Sequence, residues 1–276
     1  MVILMLHADN LGEGMFKDSI LRGGKKVVAA AFTDKGKTRE INEDNFFISQ
    51  FDDVCGNGYC MIADGMGGHN AGEVASEIAV DVIRHVFQKQ YHHALSEGQI
   101  CDLLKGSMQK ANTEIYKKAC EDPSHTGMGT TAISCLVHHG CLYIAHVGDS
   151  RVYRMNKNMI CQITIDHSIV EELVSSGSIT RQEAQNHPQK NIITRALGEE
   201  QQPKVDIYVR SLKPNDIILI CTDGLTNMLS DAEILVEMTG DDVLQDKVER
   251  LVNAANNKGG YDNITVVALH YKGGKG

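Results

Sequence analysis

The apolar pattern of this chain changes period twice along its length, and the grouping that results limits the available folds more than any bulk property does. Short apolar runs at 27–32, 45–51 and 59–63, bounded by Gly, Asp and Asn, read as strands. The period then lengthens. Ala71, Val74, Ala75, Ile78, Ala79, Val82, Ile83 and Val86 share one face of a helix, and Ile100, Leu103, Leu104, Met108, Ala111 and Ile115 form a second such stripe. Strand-like runs return at 131–137, 141–147, 151–155 and 159–165, separated by His-Gly, Gly-Asp and Asn-Lys-Asn turn clusters. Two short polar helices, 168–176 and 180–186, interrupt them. Strands at 204–211, 216–222 and 263–269 then bracket helices at 231–239 and 242–257. Strands and helices therefore come in blocks instead of alternating, which predicts an α+β fold of antiparallel sheets covered by helices, not a doubly wound parallel sheet.

Charge and cysteine usage narrow the function classes. Lys and Arg number 27 against 36 Asp and Glu, a net charge of −9, with no basic run of five, which disfavours a nucleic-acid or anionic-membrane surface. The eight cysteines contain no C-x-x-C pair, and several lie inside apolar runs as small hydrophobes, consistent with a reducing compartment. The apolar opening from Met1 to Leu6 is followed by His7 and Asp9 and lacks a basic flank, so it does not read as a signal peptide. No stretch approaches the roughly 18 apolar residues of a membrane span, and a cytoplasmic location is expected. Residues 1–25 read as an extension outside the fold, 26–272 as one domain with a polar subdomain at about 166–200, and 273–276 as a tail.

The chemistry lies in carboxylates at the strand ends. Asn42-Glu43-Asp44 precedes one strand, Asp64-Gly65 ends another, Asp149 follows Val147-Gly148, Asp223-Gly224 follows the 216–222 run, and Asp262-Asn263 opens the last strand. A carboxylate just past a buried strand is held rigidly, and a following Gly lets the backbone carbonyl approach an ion. Oxygen-only donors suit hard cations such as Mg²⁺ or Mn²⁺. A single Asp-Gly pair reads as well as an ordinary turn; four or five acidic strand ends in one chain do not. Gly23-Gly24-Lys25-Lys26 lacks P-loop spacing, and Gly65-Met66-Gly67-Gly68 lacks the dinucleotide fingerprint. The cysteines show no zinc pattern, and Ser150 has no nucleophile-elbow context.

Six segments in order, Arg39-Glu40-Ile41-Asn42-Glu43-Asp44, Ala63-Asp64-Gly65-Met66-Gly67-Gly68-His69, Gly129-Thr130-Thr131, Val147-Gly148-Asp149-Ser150-Arg151, Thr222-Asp223-Gly224-Leu225 and Gly260-Tyr261-Asp262-Asn263-Ile264-Thr265, resemble the motifs of the metal-dependent serine/threonine protein phosphatases, the protein phosphatase 2C or PPM family. The resemblance spans about 27–270 and is of bacterial type, since Met66 stands where many eukaryotic members carry a histidine. It implies a four-layer αββα sandwich with a dinuclear Mn²⁺ or Mg²⁺ site at one end. Carried over by motif, Asp64 would bridge the two ions, Asp223 and Asp262 would hold one, and the Gly65 carbonyl would reach the other. Glu43 and Asp44 would bind the second ion or orient its waters, and Asp149 with Asp223 would form a weaker third site. Arg39 would grip the substrate phosphate, a role that suits a planar two-pronged guanidinium.

The resemblance further implies hydrolysis of phosphoserine and phosphothreonine in proteins, opposing a bacterial Ser/Thr kinase and acting on its targets. Alternatives are a narrow regulatory phosphatase of one signalling protein and an inactive phosphoprotein-binding scaffold. Retention of Arg39 and Arg151 weighs toward the general enzyme, and the intact acidic set weighs against the scaffold. Met66 leaves two sources open for the leaving group's proton, His69 or a metal-associated water. His92-His93 and His138-His139 read as solvated turn residues, and His146 as a packed and satisfied strand residue. The 166–200 segment, with Asp166-His167-Ser168 and Thr194-Arg195-Ala196-Leu197-Gly198, resembles the family's flap and reads either as a mobile cover or as a rigid decoration.

Overall fold

The computed structural model describes residues 27–52, 57–68, 71–157 and 159–273. Five strands, β1 (Val27–Asp34), β7 (Arg151–Asn156), β8 (Met159–Gln162), β10 (Asp216–Cys221) and β11 (Ile264–Tyr271), form one antiparallel sheet in the order β1-β11-β10-β7-β8. The second sheet runs β2 (Asp44–Asp52), β3 (Asn57–Met66), β5 (Ala132–His138), β6 (Cys141–Val147), β9 (Asp206–Ser211), also antiparallel, with the two-residue β4 (Gly129–Thr130) paired to the end of β3.

The sheets pack face to face. Phe46, Cys60, Ile62, Ile133 and Ile144 of one meet Ala31, Val152, Ile218, Ile220 and Val267 of the other. The opposite faces are also buried. Tyr59, Met61 and Ala63 turn away from the sandwich toward α1 (Ala71–Gln90) and α2 (Glu97–Glu121), while Tyr153, Leu219, Val266 and Ala268 turn toward α6 (Asp231–Met238) and α7 (Leu244–Asn257). Alternate residues of β3 thus serve two different cores, which is why its sequence is a continuous apolar run and not an apolar-polar alternation. The layers are helix, sheet, sheet, helix, as the block pattern and the family resemblance imply.

Local signals fix the helix ends. Ser96 caps α2 in a reciprocal box with Gln99, and Ser230 caps α6 in the same way with Glu233. Between β8 and β9, α3 (Ile169–Ser175) and α4 (Arg181–Gln185) bury none of their residues. That segment is tied to the sandwich at its base, where Ser168 bridges Ile193, Thr130 bridges Leu197, and the Thr194 N–H donates to the His167 carbonyl at 2.7 Å.

Several expectations are corrected. The strand expected over 159–165 ends at Gln162, and Ile165 is exposed. His138 is not a solvated turn residue: β5 runs on through it, it is buried, and its Nδ1 pairs with the Tyr91 hydroxyl at 2.8 Å, below the stacked rings of Tyr59, Phe87 and Tyr91. His92, His93 and His139 are exposed as expected. His146 is packed, but neither ring nitrogen makes a hydrogen bond. The short α5 (Asp223–Thr226) and β4 were not foreseen. Among the described residues no helix is long and apolar enough to cross a membrane, and seven cysteines are free thiols. The proposed 1–25 extension, His69 and residues 274–276 of the expected tail lie outside the described residues.

Candidate active site

The expected acidic residues meet at one end of the sandwich because antiparallel pairing brings their strand ends together. Asp44, at the start of β2, faces Asp64 across the β2–β3 ladder. The Asp64 carbonyl accepts from Thr131 N–H and from Thr130 Oγ1, each at 2.9 Å, and its own N–H donates to Thr131 Oγ1 at 3.1 Å. The next N–H, that of Gly65, donates to the Glu43 carbonyl at 3.1 Å. Gly65 is required here: a Cβ would collide with the Gly72 carbonyl at the start of α1 and lie 2.7 Å from the Glu43 carbonyl oxygen.

Across the cleft, Asp223 opens α5 and accepts from Asn227 Nδ2 at 2.9 Å, one helical turn on. Thr222 Oγ1 donates to Asp44 Oδ2 at 3.0 Å and accepts the Thr265 N–H at 3.0 Å, joining the two sheets at this end. Asn263 organises the rim. Its side chain accepts the Glu43 N–H at 2.8 Å and donates to the carbonyls of Lys35 and Ile41 at 3.0 and 2.9 Å. Arg39, half exposed, donates from Nη2 to Asp262 Oδ2 at 2.9 Å and lies 3.6 Å from Glu43 Oε2. Thr222, Asn227 and Asn263 received no role from sequence. Asn263 sits directly after a candidate ligand, the one signal that singles it out.

The electrostatics are those of a site built for positive charge. Burial raises the pKa of Asp44 to about 7, although Thr265 and Thr222 hydrogen bonds oppose the shift. Burial and then Asp44, Asp223, Asp149 and Asp262 push Asp64 well above the usual carboxylate range. Asp149 rises to about 8 through burial, Asp223 and Asp166, and Asp223 to about 6 through burial and Asp262. Glu43 rises through burial, against the pull of Arg39. Carboxylates that raise one another's pKa carry negative charge that the protein leaves largely unbalanced. Glu43 Oε1 and Asp44 Oδ1 are moreover buried without a hydrogen-bond partner, an arrangement that is costly unless another group fills it. Among the described residues no three acidic, His or Cys side chains are gathered as tightly as a finished metal cage. The oxygen-only donor set, its uncompensated charge and the two orphaned oxygens still fit hard dications.

Arg151 lies close enough to this cluster to lower the pKa of Asp223 and Asp149, but its own hydrogen bonds go to other partners. It forks onto Asp166, with Nε at 2.9 and 3.1 Å and Nη2 at 2.7 Å, and donates from Nη1 to the Tyr153 hydroxyl at 3.1 Å. It is an anchor for the entry to the 166–200 segment.

Residues 35–265 match the sequence profile described as protein phosphatase 2C. The chain belongs to the protein phosphatase 2C family. It is thus a metal-dependent protein serine/threonine phosphatase of the bacterial group. The phosphatase is 39% identical over 237 residues, covering 86% of this chain and 93% of the relative, to the serine/threonine phosphatase stp of Listeria monocytogenes. Its fold is similar to that of serine/threonine phosphatase Stp1 from Staphylococcus aureus, with a TM-score of 0.84, 34% identity, and 94% and 100% of the two chains covered. A structure of the catalytic domain of the phosphatase PstP in complex with two manganese ions is similar at a TM-score of 0.75 and 32% identity, covering 88% and 97%.

Proposed function

We propose that this phosphatase hydrolyses phosphoserine and phosphothreonine in proteins at a dinuclear Mn²⁺ or Mg²⁺ centre, opposing a Ser/Thr kinase of the bacterial cytoplasm. The observation that carries the reading is the buried, mutually destabilised acidic cluster, with its two orphaned carboxylate oxygens, in a chain of this family. In it Asp64 would be shared by two ions, Asp223 and Asp262 would hold one, and the Gly65 carbonyl would face the other. Glu43 and Asp44 would serve the second ion or its waters, and Asp149 with Asp223 a weaker third. Bound dications supply Lewis acidity, lowering the pKa of water and offsetting phosphoryl charge for in-line attack.

The protein's own groups set the geometry. Thr222 and Asn227 orient the carboxylates of Asp44 and Asp223, and the Thr130–Thr131 pair fixes Asp64. Arg39 stands at the rim with two nitrogens directed at the cleft, placed to bind phosphate oxygens in two-pronged fashion. Met66 has no ionisable proton, so β3 does not itself supply a general acid at that position. Arg39 at the rim and Arg151, paired with Asp166 and within electrostatic reach of Asp149 and Asp223, both weigh toward a general enzyme over a narrow one. The test is release of phosphate from a phosphothreonine peptide. Turnover with Mn²⁺ that stops in excess chelator supports the reading, and absence of turnover with either metal would point to the scaffold.

A further inference from the structure

Asp149 stands on the turn between β6 and β7, and that turn is gripped from outside the sandwich. The His167 N–H donates to the Gly148 carbonyl at 2.8 Å, and the Gly148 N–H donates to His167 Nδ1 at 3.0 Å. Both polar backbone groups of the residue before Asp149 are therefore satisfied by one residue. Gly148 has little freedom of its own. Its φ is +112°, and a Cβ there would lie 2.5 Å from Thr131 Cβ.

Since Nδ1 accepts from a backbone N–H, the ring proton resides on Nε2, which donates to Asp206 Oδ2 at 3.1 Å; Arg195 Nη1 lies against the same nitrogen, also at 3.1 Å. Asp206 Oδ1 in turn lies 3.4 Å from Arg195 Nη1, at the far end of the 166–200 segment. The His167 carbonyl also accepts the Thr194 N–H. Both ends of that segment thus converge on His167. Beneath it lies the buried ring of His146, with centroids 4.7 Å apart. Burial, and then His167, lower the His146 pKa to about 3, so it forms a neutral floor and not a competing charge.

We propose that His167 is a positioning residue which holds the Gly148–Asp149 turn in place and couples it, through Asp206 and Arg195, to the base of the 166–200 segment. The functional part rests on the reading of Asp149 as a ligand of a weaker third ion. Residues that hold metal ligands in place are worth about 10- to 100-fold in metal affinity or activity, and this one acts through one intervening backbone unit.

Two substitutions separate the inner contact from the outer one. Asn places its Oδ1 near the position of Nδ1, so His167→Asn keeps an acceptor for the Gly148 N–H and loses the Asp206 tie. Gln places its amide nitrogen near Nε2, so His167→Gln does the reverse. Amide exchange of Gly148, followed by NMR in the chelator-treated protein, should speed up about 10-fold in His167→Gln and less in His167→Asn. Asp206→Ala, which leaves the turn residues untouched, should resemble His167→Asn. The Mn²⁺ concentration for half-maximal activity should rise in the same order, about 10-fold for His167→Gln. Equal exchange in His167→Gln and His167→Asn, or no change in any of the three, would overturn the proposal. Asp149→Ala run alongside separates the two readings: an unshifted Mn²⁺ midpoint there removes the third-ion role, while the order of Gly148 exchange still judges His167.

Discussion

Arg39 Nη2 and Asp262 Oδ2 lie 2.9 Å apart, so the guanidinium expected to bind phosphate is bonded to a carboxylate expected to bind a cation. The pair explains how a half-exposed arginine is aimed at the cleft instead of at solvent. With an ion held at Asp262 as proposed, Arg39 would have to share that oxygen, and its guanidinium would be free to turn toward the substrate.

From this follows the behaviour of Arg39→Ala. Phosphate oxygens carry charge already in the bound ground state, so the loss should appear mainly as a raised KM with a smaller fall in kcat. One charge-assisted hydrogen bond is worth roughly 1.5–3 kcal/mol, so kcat/KM should drop on the order of 10- to 150-fold. Mn²⁺ binding should not weaken, because a competing cation has been removed. Arg39→Lys should recover only part of the loss, as it keeps the charge without the fork. Steady-state kinetics at saturating Mn²⁺ check this; an unchanged KM would take Arg39 away from the phosphate.

The raised carboxyl pKa values make the metal-free protein sensitive to pH in a defined direction. Asp44, Asp149 and Asp223 hold their protons to about 7, 8 and 6 in the folded state but lose them near 4 when unfolded. The folded state therefore binds more protons between about pH 4 and 8, and stability falls as pH rises through that window. The melting midpoint of chelator-treated protein should be lower at pH 8 than at pH 5.5 by ~5 °C or more. Added Mn²⁺ should raise the midpoint more at pH 8, where fewer protons must be displaced. Thermal melts at both pH values would show an equal or opposite trend if the cluster were not protonated in this way.

Arg151→Ala tests the anchor beneath the 166–200 segment. The Asp166 side chain is only 10% exposed, and after the substitution it would keep the Gln162 amide, 2.7 Å away, as its one side-chain donor in place of the fork. Breaking a buried pair in this way costs about 3 kcal/mol, somewhat less where one partner is partly open to solvent. An unfolding free energy within about 0.5 kcal/mol of the parent, from denaturant titration, would show that the fork contributes little.

Much of this arrangement was legible in the sequence because period and turn chemistry agree. β6 was bounded correctly at 141–147, since Gly140 and Gly148 close it on both sides, and both residues have positive φ. The acidic strand ends marked the candidate cleft because a sandwich brings alternate strand ends together. What could not be read was set by contacts distant in sequence. β4 and α5, two and four residues long, are too short to show a period. His138 looked like part of a polar His-His-Gly turn, but its burial depends on Tyr91, 47 residues away. Arg151 follows Asp149 in the same motif, and its pairing with Asp166, 15 residues further on, could not be read from the sequence.

Direct counting of bound metal tests the central claim. Mn²⁺ titrated by calorimetry into chelator-stripped protein should fill at least two sites, and Asp64→Asn, which removes the carboxylate at the centre of the acidic cluster, should abolish both while the far-ultraviolet circular dichroism stays that of the parent. Two sites retained in a folded Asp64→Asn, or none in the parent, would contradict the account.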